Sequence, residues 1–254
     1  KKVSADGAFV WSDPLADQVS DAGITDATLT GYSIVQVLPT RSTGAVGGAY
    51  LLAKNGSGSI RVLRINGATG AVAWNNAVSA TGYEPHMAVD TVAGTANRVI
   101  VTYRDNAGHI PADYYHIRAV AYNAAGLTAA PGFAAINVSS TAASYDCRLP
   151  QVIVADAAAG ASEFYIAWFD GRYFGTAGFA LFGQRFTSAG AAVWAPDVFI
   201  STPTSYGYDT LDLKLLYWDD GAAPFGLTPL WLDYRDGATA PDIYYEHVAD
   251  TGSY

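Results

Sequence analysis

The stretch from Phe164 to Trp194, FYIAWFDGRYFGTAGFALFGQRFTSAGAAVW, decides the fold. It opens with an aromatic, apolar run, Phe164-Tyr165-Ile166-Ala167-Trp168, and turns a polar corner at Asp170-Gly171-Arg172. A second run follows, Ala180-Leu181-Phe182-Gly183-Gln184-Arg185-Phe186, and then a glycine turn that leads to Trp194. Two runs of strand length bounded by turn residues read as neighbouring strands of an antiparallel sheet. The same order of features recurs along the chain. Glycine followed four residues later by Trp occurs as Gly7/Trp11, Gly70/Trp74 and Gly190/Trp194, and Gly126 and Gly252 extend the glycine series at intervals of 63, 56, 64 and 62. Such a period marks a repeat architecture.

Each unit carries four strand-like runs. Strand A reads 33–37, 86–89, 151–154 and 213–217; strand B reads 50–53, 99–103, 164–168 and 230–232; strand C reads 60–65, 117–122, 180–186 and 243–248. Strand D follows the glycine turn and ends at a β-branched residue and a serine: Val19-Ser20, Val78-Ser79, Val138-Ser139 and Ile200-Ser201. No segment holds a 3.6-residue apolar period, so helix content should be close to nil. The prediction is an all-β fold, a β-propeller of four-stranded antiparallel blades. About four blades are present, at approximately 20–79, 80–139, 140–201 and 202–254, with 1–19 as a partial blade. They form one domain or a fragment of a larger propeller. The first and last segments, 3–9 and 248–254, are the same hairpin of the repeat, so Lys1 to Trp11 could donate a strand to the final blade or to another chain.

Composition narrows the function classes. With 14 basic and 23 acidic residues, the net charge of −9 opposes a phosphate backbone, and nucleic acid is not an expected partner. Cys147 is the single cysteine, which rules out an internal disulfide or a thiolate metal cluster within one chain. No apolar run reaches membrane-spanning length, so no membrane insertion is expected.

After strand B the pattern Trp-x-Asp-x-Arg stands intact as Trp168-Phe169-Asp170-Gly171-Arg172 and Trp231-Leu232-Asp233-Tyr234-Arg235. It decays to Tyr103-Arg104-Asp105 in the second unit and is lost at Ala53-Lys54-Asn55 in the first. Together with the glycine-to-Trp turn, this resembles bacterial secreted propeller repeats of the broad sialidase-like and TolB-like group. The resemblance implies an extracellular or cell-surface setting and no particular activity. The sialidase Asp-box is nearly met by Ser4-Ala5-Asp6-Gly7-Ala8-Phe9-Val10-Trp11, with its glycine one residue early.

The loops from D to A and from B to C share one face of a propeller, where ligands commonly bind. Candidate ligand-binding residues there are Tyr83, Glu84, Tyr145, Asp146, Arg148, Tyr208 and Asp209: aromatic planes for apolar contact beside groups that hydrogen-bond a sugar or peptide. Because Asp170, Arg172, Asp233 and Arg235 recur from unit to unit, they read as structural corners. The expectation is therefore a non-catalytic propeller that binds a glycan or protein. A glycoside hydrolase or lyase acting on the same face is the alternative, and a structural subunit of an extracellular assembly is a third reading. No catalytic residue is singled out. The four histidines lack ligand spacing, so no transition metal and no cofactor is expected. Calcium stays open, because Asp219-Asp220-Gly221 and 233–236 offer loop oxygens without matching an EF-hand.

Overall fold

Strand-forming runs broken by glycine turns collapse into four antiparallel sheets in a computed structural model of the chain. The described residues are 31–40, 48–90, 98–106, 114–128, 132–139, 145–155, 163–173, 179–201, 212–218, 226–233, 242–249 and 251–252. The first blade holds β1 (Tyr32–Thr40), β2 (Gly48–Asn55), β3 (Ile60–Asn66) and β4 (Val72–Ser79). The second holds β5 (Tyr83–Asp90), β6 (Arg98–Asp105), β7 (His116–Tyr122) and β8 (Phe133–Asn137). The third holds β9 (Cys147–Ala155), β10 (Glu163–Asp170), β11 (Ala180–Phe186) and β12 (Val198–Phe199). The fourth holds β13 (Leu213–Trp218), β14 (Gly226–Asp233), β15 (Asp242–Tyr245) and β16 (Val248–Ala249). In the first three sheets strand order follows chain order, and β1, β5, β9 and β13 are each a sheet's first strand. β5 packs between β1 and β9, and β9 between β5 and β13. This is the all-β propeller of about four blades read from the repeat. Among the described residues the one helical element is a 3-10 turn at Gly171–Tyr173.

Both faces of the second and third blades are buried against neighbouring blades, which is why their B strands read as continuous apolar runs rather than alternating ones. In β2, Tyr50 and Leu52 join Met87, Val99 and Val101 of the second blade, while Leu51 and Ala53 belong to a cluster on the opposite face. Ile100 and Ile117 meet Phe164, Ile166 and Trp168 between the second and third blades. Tyr165, Phe169 and Leu181 meet Leu213, Leu227 and Trp231 between the third and fourth.

The glycine series has a physical cause. Gly70, Gly126, Gly190 and Gly252 all hold φ between 73° and 81°, a left-handed conformation that L side chains rarely adopt. Each closes a tight C-to-D turn, as in the Gly126 N–H to Asn123 C=O bond of 2.9 Å. Three of them also carry the aromatic residue of the preceding blade. A Cβ on Gly126 would lie 2.8 Å from the Trp74 ring, one on Gly190 3.1 Å from Phe133, and one on Gly252 3.4 Å from Trp194. Trp74 donates its indole N–H to the Ala124 carbonyl at 3.0 Å. An arginine of the preceding blade reaches the equivalent turn carbonyl in two units, Arg64 to Ala124 at 2.5 Å and Arg98 to Ser188. Arg98 is itself buried and paired with buried Asp90 at 2.5 Å.

The Val/Ile-Ser pairs close the second and third blades. Ser139 Oγ accepts the Ile117 N–H at 3.0 Å and Ser201 Oγ accepts the Leu181 N–H at 3.3 Å, so the serine satisfies the first free donor of strand C. The expected single strand over 243–248 is instead divided into β15 and β16. Both pair with β14 in one register, and the break lies at Glu246 and His247. Glu246 donates to the Pro229 carbonyl at 3.3 Å, and proline has no N–H to return. Residues 1–30, including the proposed donor segment Lys1 to Trp11, lie outside the described residues.

Gly126→Ala should lose about 2–4 kcal/mol, combining a strained positive φ with overpacking against Trp74. Gly56→Ala, whose Cβ would meet nothing within 4 Å, should leave stability unchanged. Urea unfolding midpoints of the two variants check this difference.

Candidate functional site

The innermost strands carry a matched irregularity. Register shifts fall between Ile34 and Gln36, between Tyr83 and His86, and opposite Ala167 to Phe169, each adding one residue to strand A. In the second and third blades the extra residue brings a left-handed non-glycine residue before a proline: Glu84 (φ 49°) before Pro85 and Leu149 (φ 48°) before Pro150. Such bulges redirect side chains. Gln36 pairs with the position of Leu52, His86 with Thr102, Gln151 with Ala167 and Lys214 with Leu230, and these four partners are equivalent in the repeat. Gln36, His86, Gln151 and Lys214 thus form a polar ring, one residue per blade, around a cavity of about 380 Å³.

Ring residues also tie blades together. Gln36 accepts the Met87 N–H at 2.8 Å and donates to the Met87 carbonyl at 3.0 Å, completing a two-bond pair with the next blade's backbone. His86 Nδ1 accepts the Val152 N–H at 3.2 Å. Burial, reinforced by the nearby Lys214 ammonium, lowers the His86 pKa to about 4. The imidazole is therefore neutral at physiological pH, as its acceptor role requires.

Above the ring lies a cluster of acids, arginines and tyrosines between the second and third blades. Glu84 Oε2 accepts the Leu149 N–H at 2.7 Å and lies 3.2 Å from Arg104 Nε, so this carboxylate bridges two blades. The Arg104 guanidinium lies 4.7 Å from the Tyr115 ring centroid and 5.7 Å from that of Tyr83, and the two rings meet edge-on at 5.4 Å. Asp146 Oδ1 accepts the Tyr115 N–H at 3.0 Å, and its Oδ2 lies 3.6 Å from Arg148 Nη2. Glu84 and Asp146 each keep about a quarter of their side-chain surface exposed, whereas the corner aspartates are buried.

Those corners are scaffolding. Asp170 accepts from the Trp168 indole at 3.1 Å and from Arg172 through Nε at 2.9 Å and Nη2 at 2.8 Å. Arg172 continues to Asp197 at 2.5 Å and lies 3.7 Å over the Phe182 ring. Burial opposes its charge, yet the bonds to Asp170 and Asp197 outweigh that and hold its pKa above the ordinary value. Trp231 donates to Asp233 at 3.2 Å in the same manner, while buried Asp105 turns to Arg118 at 3.0 Å. At the equivalent position Asn55 caps a tight hairpin, accepting the N–H groups of Ser57 and Ser59.

Of the residues singled out from sequence, Tyr83, Glu84, Asp146 and Arg148 come together in the cluster. Tyr145 does not join them: Arg172 lies 5.6 Å from its ring, and burial beside Asp170 raises its phenol to about 12. Tyr208 and Asp209 lie outside the described residues, as do Asp219 to Gly221. Among the described residues no three His, Cys, Asp or Glu side chains are gathered to hold a metal ion. Tyr115 and the ring were not assigned to the site from sequence. Proline directly before His86 and Gln151 was the available signal for two ring positions.

No family model matches the chain, and no curated protein matches it. Among solved structures it is similar to an α-L-arabinanase of Penicillium chrysogenum complexed with arabinobiose, at 14% identity and a TM-score of 0.48. That match covers 87% of this chain, which spans 64% of the arabinanase. A mutant α-L-arabinanase of Cellvibrio cellulosa matches at 11% identity and a TM-score of 0.35, covering 95% of this chain and 79% of that one. Kinship with the sialidase-like and TolB-like group is not shown. The expectation of a non-catalytic binding propeller is corrected here, since both of these neighbours are enzymes.

The lowered His86 pKa makes stability acid-sensitive. Above pH 6.5 neither the folded nor the unfolded ring is protonated, and the full contribution of the neutral form is present. Between pH 6.5 and about 4 the unfolded chain takes up a proton that the folded chain refuses, so stability falls as pH falls. The loss across that window should be roughly 3 kcal/mol. His86→Gln, which adopts the residue of the equivalent positions Gln36 and Gln151, should flatten the dependence. Unfolding midpoints of both proteins between pH 4 and 7.5 measure it.

Proposed function

We propose that this chain is a glycan-acting propeller of the glycoside hydrolase kind, working at the mouth of its central channel between the second and third blades. The observation that carries the reading is the convergence there of two partly exposed carboxylates, Glu84 and Asp146, with Arg104, Arg148 and the rings of Tyr83 and Tyr115. Hydrolysis of a glycosidic bond needs one carboxyl group to protonate the leaving oxygen and another to activate water or attack carbon. Aromatic faces give a sugar apolar area, and the arginines hold the carboxylates in place. The α-L-arabinanases to which the chain is similar act by their names on a glycan, which agrees with this choice without specifying the substrate.

Kinship with the sialidase-like and TolB-like group rests on the Trp-x-Asp-x-Arg corners and belongs to the same proposal. So does an extracellular or cell-surface location, where polysaccharide substrates occur. The net charge of −9 favours a carbohydrate over nucleic acid as partner.

Release of reducing ends from a panel of neutral and acidic polysaccharides tests the reading. Glu84→Gln and Asp146→Asn keep an oxygen for the Leu149 and Tyr115 N–H groups, so both should fold. Each should lower turnover at least 100-fold if these groups handle protons. Full activity in both variants, or binding of every polysaccharide without cleavage, would overturn the proposal.

A further inference from the structure

The channel cavity presents a chemistry that the carboxylate cluster above it does not use. Its polar ring is unequal around the axis. Gln36 is committed at both polar atoms to Met87 of the next blade. His86 gives its Nδ1 lone pair to the Val152 N–H, so the neutral ring carries its proton on Nε2 and has a donor left over. Lys214 has only donors. Gln151 donates through Nε2 to the Pro150 carbonyl at 3.2 Å, leaving its side-chain oxygen as an acceptor. Among the described lining residues there is no carboxylate, and Lys214 is the one charged side chain. In a chain of net charge −9, this places a cation and an imidazole donor together where backbone strands and apolar side chains supply the remaining wall.

From this lining we infer that the channel binds the carboxylate of an acidic sugar, a uronic acid unit, between the Lys214 ammonium and the His86 Nε2–H. The inference rests on the glycan-acting reading and gives it a substrate class. A single ammonium matches a single negative charge, and a charge-assisted bond from lysine with one from a neutral imidazole suits two carboxylate oxygens. A cavity of about 380 Å³ lies in the range of small-ligand pockets. The Gln151 oxygen is left to accept a sugar hydroxyl. Among the described residues Lys214 pairs with Asp212, 3.3 Å away in a pair whose side chains are 70% and 58% exposed, and such a pair yields readily to a better placed anion. The charges facing His86 are few: Lys214 from β13, with uncharged Gln36 on β1 and the Val152 backbone on β9.

The test uses the intact chain, titrated at pH 7 with D-galacturonate, with its neutral counterpart methyl D-galactoside, and with acetate, while the His86 imidazole signals are followed by NMR. Galacturonate should shift those signals and raise the His86 pKa above about 4, because a bound anion stabilises the imidazolium. Methyl galactoside should do neither. Lys214→Met should weaken galacturonate binding at least tenfold, and Lys214→Arg should retain most of it. Since residue 214 is exposed, both variants should fold, which the unshifted spectrum of the remaining core verifies. Acetate binding as tightly as galacturonate would overturn the uronate assignment in favour of free small carboxylates. An unmoved His86, or unchanged binding in Lys214→Met, would overturn the site itself. Cleavage of a neutral polysaccharide that requires Glu84 but not Lys214 would defeat this inference alone. Galacturonate binding without any hydrolysis would defeat the hydrolase reading alone.

Discussion

A glycine lies under the aromatic residue of the preceding blade, and the rest of the molecule depends on that contact. At Gly126, Gly190 and Gly252 the backbone needs a positive φ to close its hairpin and also needs the absence of a Cβ so that Trp74, Phe133 or Trp194 can lie against it. Those two demands reinforce each other, because the same atom violates both. The contact is then fastened by hydrogen bonds to the turn, from the Trp74 indole and from Arg64 and Arg98. Once the C-to-D turn of one blade is docked on strand D of the previous one, the angle between sheets is limited, and the innermost strands are brought side by side.

That arrangement makes the site a product of two blades rather than one. Glu84 lies in β5 but satisfies the N–H of Leu149 on β9, and His86 does the same for Val152. Both side chains are aimed by the added residue of the strand A bulge. A regular strand would put successive residues on alternate faces, and the bulge re-sets that alternation at the channel mouth. The left-handed backbone of Glu84 and Leu149 is a local cost of roughly 1–3 kcal/mol that the surrounding ladder and inter-blade bonds offset.

Recurring residues and functional residues separate clearly in this chain. Asp105, Asp170 and Asp233 occupy the same place in three blades, are buried, and each spends its acceptors on neighbouring groups of the chain. By contrast, the ring positions are equivalent in geometry and different in chemistry: two amides, an imidazole and an ammonium. A repeat preserves what every unit needs for packing. Where equivalent positions diverge around a shared cavity, packing no longer dictates the residue.

The four-stranded unit, its strand order and the identity of the corner residues were legible in the chain, because strand-length apolar runs, glycine turns and β-branched-to-serine endings are local signals repeated at fixed spacing. Tyr83, Glu84, Asp146 and Arg148 were legible as neighbours for the same reason, lying next to strand A where loops share one face. Tyr115 became part of the site only through the docking of the second blade on the third, and nothing in its local sequence distinguishes it from a packing residue. Tyr145, one residue before Asp146, faces Arg172 instead, an orientation that no local signal in the sequence gives. The ring of Gln36, His86, Gln151 and Lys214 is likewise a tertiary fact. Its members are separated by 50, 65 and 63 residues, and they meet because inter-blade packing places four bulged or equivalent strand positions around one axis.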